Sequence, residues 1–232
     1  MSNLCIIPAR GGSKRIPRKN IKSFLGKPII AYSIEAAINS GVFDEIMVST
    51  DDIEIAEIAR KYGAKVPFFR SNQNADDFSS TEDVIIEVLE NYENEMFEYV
   101  CCIYPTAPFV KSERILEGFN KLKDHNLTTL FPIVSFSYPI LRALKTYEGR
   151  LNMVWPENED KRSQDFETYF HDSGQFYWIK SKEFKINRKL FTHNTGFIKL
   201  SNLEVQDIDN FEDWYLAEIK YIKINDLQNK EK

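Results

Sequence analysis

Short apolar runs alternate along the chain with longer segments whose apolar residues recur every three or four positions. The short runs are typical of buried strands, and the longer periodic segments are typical of amphipathic helices. The predicted strands cover residues 4–8, 45–49, 66–69, 99–104, 128–134, 175–179 and 195–200. Strands that alternate with helices predict an α/β fold, with a Rossmann-like, mostly parallel sheet and helices on both of its faces.

The predicted helices carry start and stop signals. Pro28 suits the first position of one helix and Gly41 its end, while Asp51 or Asp52 can cap a second helix that Gly63 ends. The other predicted helices and the polar segment after the last one cover residues 81–92, 112–123, 211–224 and 225–232. We therefore expect the chain to close on a helix with a polar tail.

Residues 136–171 interrupt the alternation with an aromatic, proline-bearing stretch through which no helix can be drawn. We interpret it as an insertion within one domain, 1–232, because a chain of this length can bury a single core. In an α/β protein such a stretch can shape a substrate site or a subunit contact, or it can be an ordinary solvent loop. Composition alone leaves these alternatives open.

Composition and charge narrow the classes of function. The chain is 43% hydrophobic and 28% charged, as ordinary globular proteins are, and its net charge of -5 gives no electrostatic ground for nucleic acid as a partner. No apolar run approaches the ~20 residues that span a bilayer, and residues 1–12 lack the long apolar stretch that is typical of a signal peptide. We therefore expect a cytoplasmic protein without a membrane partner. Its three cysteines lie in apolar runs without metal-ligand spacing, which predicts buried thiols.

The strongest chemical signal is the basic stretch 8–20, directly after the first predicted strand. Gly11 and Gly12 let backbone N–H groups approach an anion, and open α/β sheets bind ligands at the carboxyl ends of their strands. Five cations share the loop: Arg10, Lys14, Arg15, Arg18 and Lys19. Because they repel one another, we predict a phosphate site rather than a solvated turn. Neither G-x-x-x-x-G-K-[ST] nor G-x-G-x-x-G is present, which disfavours a P-loop ATPase and a dinucleotide-dependent dehydrogenase.

The stretch P-A-R-G-G-S-K-R-I-P-R-K-N-I at 8–21 resembles the opening of the CMP-sialic acid synthetases and related cytidylyltransferases. The resemblance continues through 26–29, 48–51 and 59–64, and it covers nearly the whole chain apart from the tail. It implies a fold of the nucleotide-diphospho-sugar transferase type, CTP as a partner, and Lys19 as the residue nearest the reacting phosphate. The residues implied to contact CTP are Ala9, Arg10, Gly11, Gly12, Ser13, Lys14, Asn20, Arg70, Ser79, Ser80 and Thr81.

Within that set, Arg70 and the segment 77–81 resemble the stretch that holds the cytosine and ribose. Ser80 or Thr81 can also simply cap the following helix, and the two roles can coexist.

The sequence D-I-D at 207–209 places two carboxylates, Asp207 and Asp209, on one face if the segment is extended. Such a pair suits Mg²⁺, with Mn²⁺ as an alternative, because these cations take carboxylate and phosphate oxygens. The other interpretation is a helix start capped by Asp209 or Asn210. The resemblance favours the metal, since its pattern D-I-D-x-x-x-D ends here at Asp213. The residues implied to carry catalysis are Arg10, Lys19 and Asp209.

Further segments resemble those that enclose the sugar in the family. R-S-Q-D at 162–165 and D-S-G-Q-F-Y-W at 172–178 resemble the pseudaminic acid branch. Where sialic acid enzymes carry Gln before P-T-S-P-L-R, this chain has Tyr104, then Ala107 and Phe109, which disfavours N-acetylneuraminic acid. Arg162 suits the sugar carboxylate because a guanidinium can bind it bidentately. The implied sugar-binding residues are Tyr104, Pro105, Thr106, Arg162, Gln164, Gln175 and Tyr177.

The resemblance implies transfer of CMP from CTP to the anomeric hydroxyl of an acidic nine-carbon sugar, pseudaminic acid, with release of pyrophosphate. It also implies a homodimer in which the insertion 136–171 closes the site of the other subunit. No general base can be named from the sequence. Two alternatives stay open: a synthetase for CMP-N-acetylneuraminic or CMP-legionaminic acid, and a catalytically silent nucleotide-binding module.

Overall fold

A computed structural model describes residues 2–76, 79–92 and 97–230, with the side chains of 227–230 left out of the description. Its strands are β1 (Asn3–Pro8), β2 (Ser23–Phe24), β3 (Lys27–Pro28), β4 (Glu45–Ser49), β5 (Tyr99–Ile103), β6 (Thr129–Ser135), β7 (Leu144–Tyr147), β8 (Arg150–Met153), β9 (Phe170–Asp172), β10 (Phe176–Lys180) and β11 (Thr195–Lys199). Its helices are α1 (Ile29–Ser40), α2 (Ile53–Lys61), α3 (Thr81–Asn91), α4 (Ser112–Asp124), α5 (Ser181–Asn187) and α6 (Phe211–Lys230).

The central sheet has the strand order β11-β6-β10-β5-β1-β4, and β9 pairs with β6. The pairs β1 with β4, β1 with β5 and β11 with β6 are parallel. Strand β10 is antiparallel to both of its neighbours, as β9 is to β6. The prediction of a mostly parallel sheet is confirmed.

Successive residues of β1 face opposite sides of the sheet, and each side is covered by helices. Cys5 and Ile7 pack with apolar residues of α1, α2 and α4, whereas Leu4 and Ile6 pack with residues of α3 and with Phe184 of α5. Helices on both faces, as predicted, bury these strands completely. All three cysteines are fully buried free thiols, as the sequence predicts.

A third apolar cluster joins the start of the chain to its last helix. Ile16, within the basic loop, and Phe24, just after it, belong to the same cluster as Ile208, which precedes α6, and Trp214 in the first turn of α6. Phe24 meets Trp214 edge to face, with ring centroids 5.6 Å apart. This cluster fixes the D-I-D segment beside the basic loop.

Two predicted elements differ from the structure. Residues 66–69 form no strand, because Pro67 has no N–H to donate; only an isolated bridge joins Lys65 to Met47. Of the segment predicted as a polar tail, residues 225–230 continue α6 and residues 231–232 lie outside the described part of the chain. Helix α5, strand β9 and the hairpins β2–β3 and β7–β8 were not predicted from the sequence. In the described part of the chain, no helix is long and apolar enough to cross a membrane.

Candidate active site

A cavity of about 470 Å³ opens at the carboxyl end of β1, with the basic loop on one side and the first turn of α3 on the other. We call it the nucleotide cavity. The predicted site residues that line it are Arg10, Ser13, Lys14, Lys19, Asn20, Arg70, Ser79, Ser80, Thr81, Tyr104, Pro105, Thr106 and Asp209. The structure thus brings together most residues predicted for CTP, and Asp77 and Phe78 lie outside the described residues.

Three predicted loop residues, Ala9, Gly11 and Gly12, do not line the cavity. Ala9 is buried and donates its N–H to the Ser49 carbonyl at 2.9 Å. The Gly11 N–H donates to Asp51 Oδ1 at 2.8 Å, and a Cβ on Gly11 would lie 2.8 Å from Asp52 Oδ2. Gly12 has nothing within 4 Å of such a Cβ. Gly11 is therefore required by the close approach of α2, whereas Gly12 is not.

Some of the loop cations pair with acids of the protein itself, which reduces the repulsion from which a phosphate site is predicted. Arg18 donates to Asp52 Oδ1 at 2.9 Å and also contacts Glu54, while Arg15 lies 2.8 Å from Asp209 Oδ1. The Asp52 carboxylate also caps α2 by accepting from the Ile55 N–H. Arg18 therefore ties the loop to α2. The cations that line the nucleotide cavity are Arg10, Lys14, Arg15, Lys19 and Arg70.

Arg70 reaches the nucleotide cavity from a buried position and is 6% exposed. Its Nε donates to Ser49 Oγ at 2.9 Å and another guanidinium nitrogen to the Ser49 carbonyl at 2.6 Å, which fixes the plane of the group. Burial lowers the pKa of Arg70, while the nearby Asp51 charge opposes this effect. A guanidinium whose plane is fixed in this way is well suited to donate hydrogen bonds to an oxygen-rich ligand.

Lys19 connects the basic loop to the D-I-D segment. Its Nζ donates to the Ile208 carbonyl at 2.7 Å and lies 4.0 Å from Asp209 Oδ1. Burial lowers the pKa of Lys19, and the Asp209 and Asp207 charges oppose this effect. The structure therefore places the predicted catalytic cation and the predicted catalytic acid side by side, although the two residues lie near opposite ends of the sequence.

The two predicted metal-binding acids face adjoining spaces. Asp209 lines the nucleotide cavity, and Asp207 lines a neighbouring cavity of about 520 Å³ together with Asp172 and Tyr177. Burial and then the Asp209 charge raise the pKa of Asp207, so a cation near both carboxylates would relieve their repulsion. Within the described residues, no cluster of three or more acids, histidines or cysteines could hold a metal ion.

Asp213, the last acid of the pattern, orders the loop before α6. Its Oδ2 accepts from the Asp209 N–H at 2.9 Å and from the Asn210 N–H at 3.0 Å. Asn210 Oδ1 in turn accepts from the Asp213 N–H at 3.0 Å. This is a reciprocal capping arrangement, and it holds the backbone of Asp209 in place.

A second cavity, of about 700 Å³, shares Thr81 and Tyr104 with the nucleotide cavity. We call it the aromatic cavity. The Thr81 and Tyr104 hydroxyls lie 3.0 Å apart, and the Tyr104 ring lies 5.4 Å from the Tyr177 ring. The Tyr177 hydroxyl donates to Asp172 Oδ2 at 2.6 Å. The predicted sugar-binding residues Tyr104 and Tyr177 thus stand where the two cavities meet.

Sequence reasoning missed much of the aromatic cavity. Its walls include Phe131, Phe170, Phe191 and Phe197, and Glu82 lies on the first turn of α3. Phe131 and Phe197 sit at matching positions of β6 and β11. The sequence shows that each of two predicted strands contains an aromatic residue. It does not show that these two strands pair and bring the aromatic residues together.

Three predicted sugar-binding residues lie elsewhere. Gln175 is buried and its amide donates to the Glu204 carbonyl at 2.5 Å, which makes it a structural residue of the loop before α6. Arg162 and Gln164 are exposed at the short turn Ser163–Asp165 and line neither the nucleotide cavity nor the aromatic cavity. Within one chain, therefore, the insertion does not bring Arg162 to the candidate site.

A family model described as cytidylyltransferase matches residues 4–202. The pseudaminic acid cytidylyltransferase of Campylobacter jejuni is 46% identical over 230 residues, which covers 97% of this chain and 98% of that protein. The CMP-N,N'-diacetyllegionaminic acid synthase of Legionella pneumophila is 34% identical over 97% of this chain and 98% of that protein. A solved CMP:2-keto-3-deoxy-manno-octonic acid synthetase complexed with CTP shares the fold, with a TM-score of 0.69, 16% identity, and coverage of 97% of this chain and 100% of that chain.

Proposed function

The chain belongs to the cytidylyltransferase family, and from this premise we propose that it transfers CMP from CTP to the anomeric hydroxyl of pseudaminic acid and releases pyrophosphate. One observation carries the proposal: a cation-lined cavity adjoins an aromatic cavity through Thr81 and Tyr104. Two substrates held in the two cavities would meet at that junction. The identity to a pseudaminic acid enzyme supports the choice of sugar.

The reaction forms a bond between the anomeric oxygen and the α-phosphorus while the bond from that phosphorus to pyrophosphate breaks and the hydroxyl gives up its proton. Such transfers depend on positioning and on stabilising charge. Arg10, Lys14 and Lys19 line the cavity from the basic loop and would bind the phosphate oxygens. Arg70 and Thr81, on the opposite side, would hold the nucleoside.

The acids fit a divalent cation, and we propose that Asp207 and Asp209 hold Mg²⁺, with Mn²⁺ as a substitute. Their mutual repulsion and the oxygen donors support this assignment. Bound there, the cation supplies positive charge to phosphate oxygens. Lys19, 4.0 Å from Asp209, orients this acid and offsets its charge.

The insertion supports a homodimer as the working form. In the hairpin β7–β8, the cross-strand pairs Leu144 with Met153 and Thr146 with Leu151 place an apolar strip on one face. Leu144 is 56% and Leu151 64% exposed, and a second copy of the chain would cover them. Such a dimer would let Arg162 and Gln164, which line neither cavity in one chain, reach the partner's sugar.

Sedimentation of a Leu151→Glu variant tests the dimer, with Asn152→Glu on the other face of the hairpin as its matched control. We expect the wild type and the control to sediment as dimers, and Leu151→Glu to sediment as a monomer with reduced turnover. A monomeric wild type with full activity would contradict the shared site.

We also keep the cytoplasm as the proposed location, because CTP is available there.

The substrate is tested by supplying pseudaminic acid, N-acetylneuraminic acid and N,N'-diacetyllegionaminic acid separately with CTP and Mg²⁺ and measuring pyrophosphate release. We expect the highest kcat/KM with pseudaminic acid. A higher value with another sugar would keep the transfer reaction and replace the substrate. Binding of CTP without turnover of any sugar would instead indicate a nucleotide-binding module.

A further inference from the structure

The two cavities of the candidate site have opposite charge. Cations outnumber acids in the described lining of the nucleotide cavity, which contains Arg10, Lys14, Arg15, Lys19 and Arg70 against Asp76 and Asp209. The aromatic cavity is lined by two carboxylates, Glu82 and Asp172, and its described lining contains no lysine or arginine. A ligand that spans both cavities must therefore carry its negative groups at one end only.

Glu82 lines the aromatic cavity, and its charge also suits the N-terminus of a helix. It lies in the first turn of α3 and is only partly exposed. Among the described residues, Glu82 makes no hydrogen bond and no ion pair, whereas the neighbouring Asp83 completes the cap of the helix with Ser80. The second carboxylate is already engaged, because Asp172 accepts from the Tyr177 hydroxyl and from the Gly174 N–H. Glu82 is therefore a hydrogen-bond acceptor in this cavity that has no donor among the described residues.

The chemistry of a 2-keto sugar acid fits this division of charge. Its carboxylate is attached to the anomeric carbon, so it stays beside the reacting phosphate, on the cationic side. Acylamino groups sit farther along the carbon chain, where they would enter the aromatic cavity. An amide N–H is a strong donor for a carboxylate, and acyl methyl groups pack well on aromatic rings such as Phe131 and Phe191.

We propose that Glu82 is a specificity-determining residue that accepts a hydrogen bond from an acylamino N–H of the sugar acid, while the aromatic wall holds the acyl methyl group. The proposal rests on the proposed function, since it assigns a role at the same site. A partly buried carboxylate that loses its donor is left with an unpaired charge, so a sugar without that N–H is rejected. Glu82 thus selects for acylated amino sugars.

The test uses pseudaminic acid and two analogues in which one acetamido group is replaced by an O-acetyl group. This replacement keeps the shape of the acyl group and removes only the N–H. For the wild type, we expect one analogue to lose about 10- to 100-fold in kcat/KM, because an ester oxygen then faces the carboxylate. For Glu82→Gln, we expect the same penalty to shrink to about threefold or less, because the Gln amide can donate to the ester oxygen.

Glu90→Gln on the same helix is the matched control, because Glu90 is exposed and lines neither cavity. The Glu90→Gln variant should show the same loss in kcat/KM with the O-acetyl analogue as the wild type. The KM for CTP, measured for every variant, reports whether the nucleotide cavity is intact. Equal penalties in the wild type and in Glu82→Gln would overturn the role of Glu82 while leaving the reaction established. No turnover of any of the three sugars by the wild type would refute the proposed function and this inference with it.

Discussion

Removal of the Glu204 charge should destabilise the loop that carries the acids of the site. Glu204 ends the short turn Asn202–Glu204, three residues before Asp207, and its side chain is only 13% exposed. Its two carboxylate oxygens each lie 3.1 Å from a nitrogen of Arg114. Burial would raise the pKa of Glu204, but the hydrogen bonds from Arg114 and the Ser201 N–H outweigh it and lower the pKa from 4.5 to about 2.

The size of the effect follows from that shift. A fall in pKa from 4.5 to about 2 corresponds to ~3 kcal/mol of stabilisation. Because Arg114 is 32% exposed and water screens the pair, we expect about 2 kcal/mol for Glu204→Gln. Glu204 has a lowered pKa in the folded state, so its contribution is fully present above the unfolded pKa of 4.5 and is lost as the pH falls towards about 2.

Urea unfolding of the wild type and of Glu204→Gln, at several values between about pH 7 and about pH 3.5, measures this contribution. Glu117→Gln is the matched control: Glu117 also pairs with Arg114, at 2.7 Å, but is 46% exposed and should contribute less than about 0.5 kcal/mol. A difference between the wild type and Glu204→Gln that stays constant across this pH range would refute the reasoning. A loss no larger than that of the control would refute it as well.

Three further predictions test the site. Gly11→Ala should raise the KM for CTP about tenfold, because its Cβ would meet the Asp52 carboxylate at 2.8 Å; Gly12→Ala, with open space around it, should change the KM less than about twofold. Lys19→Met should lower kcat by about 10²- to 10³-fold in steady-state pyrophosphate release, because its partly buried ammonium lies in the nucleotide cavity; an unchanged kcat would exclude that role. Asp213→Ala should lower the free energy of urea unfolding by about 1 kcal/mol, since two N–H groups lose their acceptor; a neutral result would count against the cap.

The strands were predictable from sequence where apolar runs are buried on both faces of the sheet. The run at β1 and the run at β5 meet this condition, and both are completely buried apart from Pro8. Residues 66–69 are a similar apolar run, but the missing N–H of Pro67 prevents pairing there. The antiparallel direction of β10 was not predictable, because direction depends on long-range connections that no local pattern encodes.

At the site, the basic loop could be singled out from its residue types alone, whereas the choice of a metal over a helix cap at the D-I-D segment depended on the family resemblance and stays a prediction. The pairing of Arg18 with Asp52 and of Arg15 with Asp209 could not be predicted, because these partners are far apart in sequence. The aromatic cavity was missed for the same reason: Phe131 and Phe191 meet only when β6 folds against the segment before β11. The role of Arg162 in binding the sugar carboxylate stays a prediction, and it depends on a second subunit.

The central claim is tested most directly by incubating the wild type with CTP, Mg²⁺ and pseudaminic acid and identifying the products by ³¹P NMR and mass spectrometry, with Asp209→Asn in parallel. The account predicts equal amounts of CMP-pseudaminic acid and pyrophosphate from the wild type, and a large loss of both products from the variant. Unchanged CTP, or release of phosphate without a CMP-sugar, would contradict it.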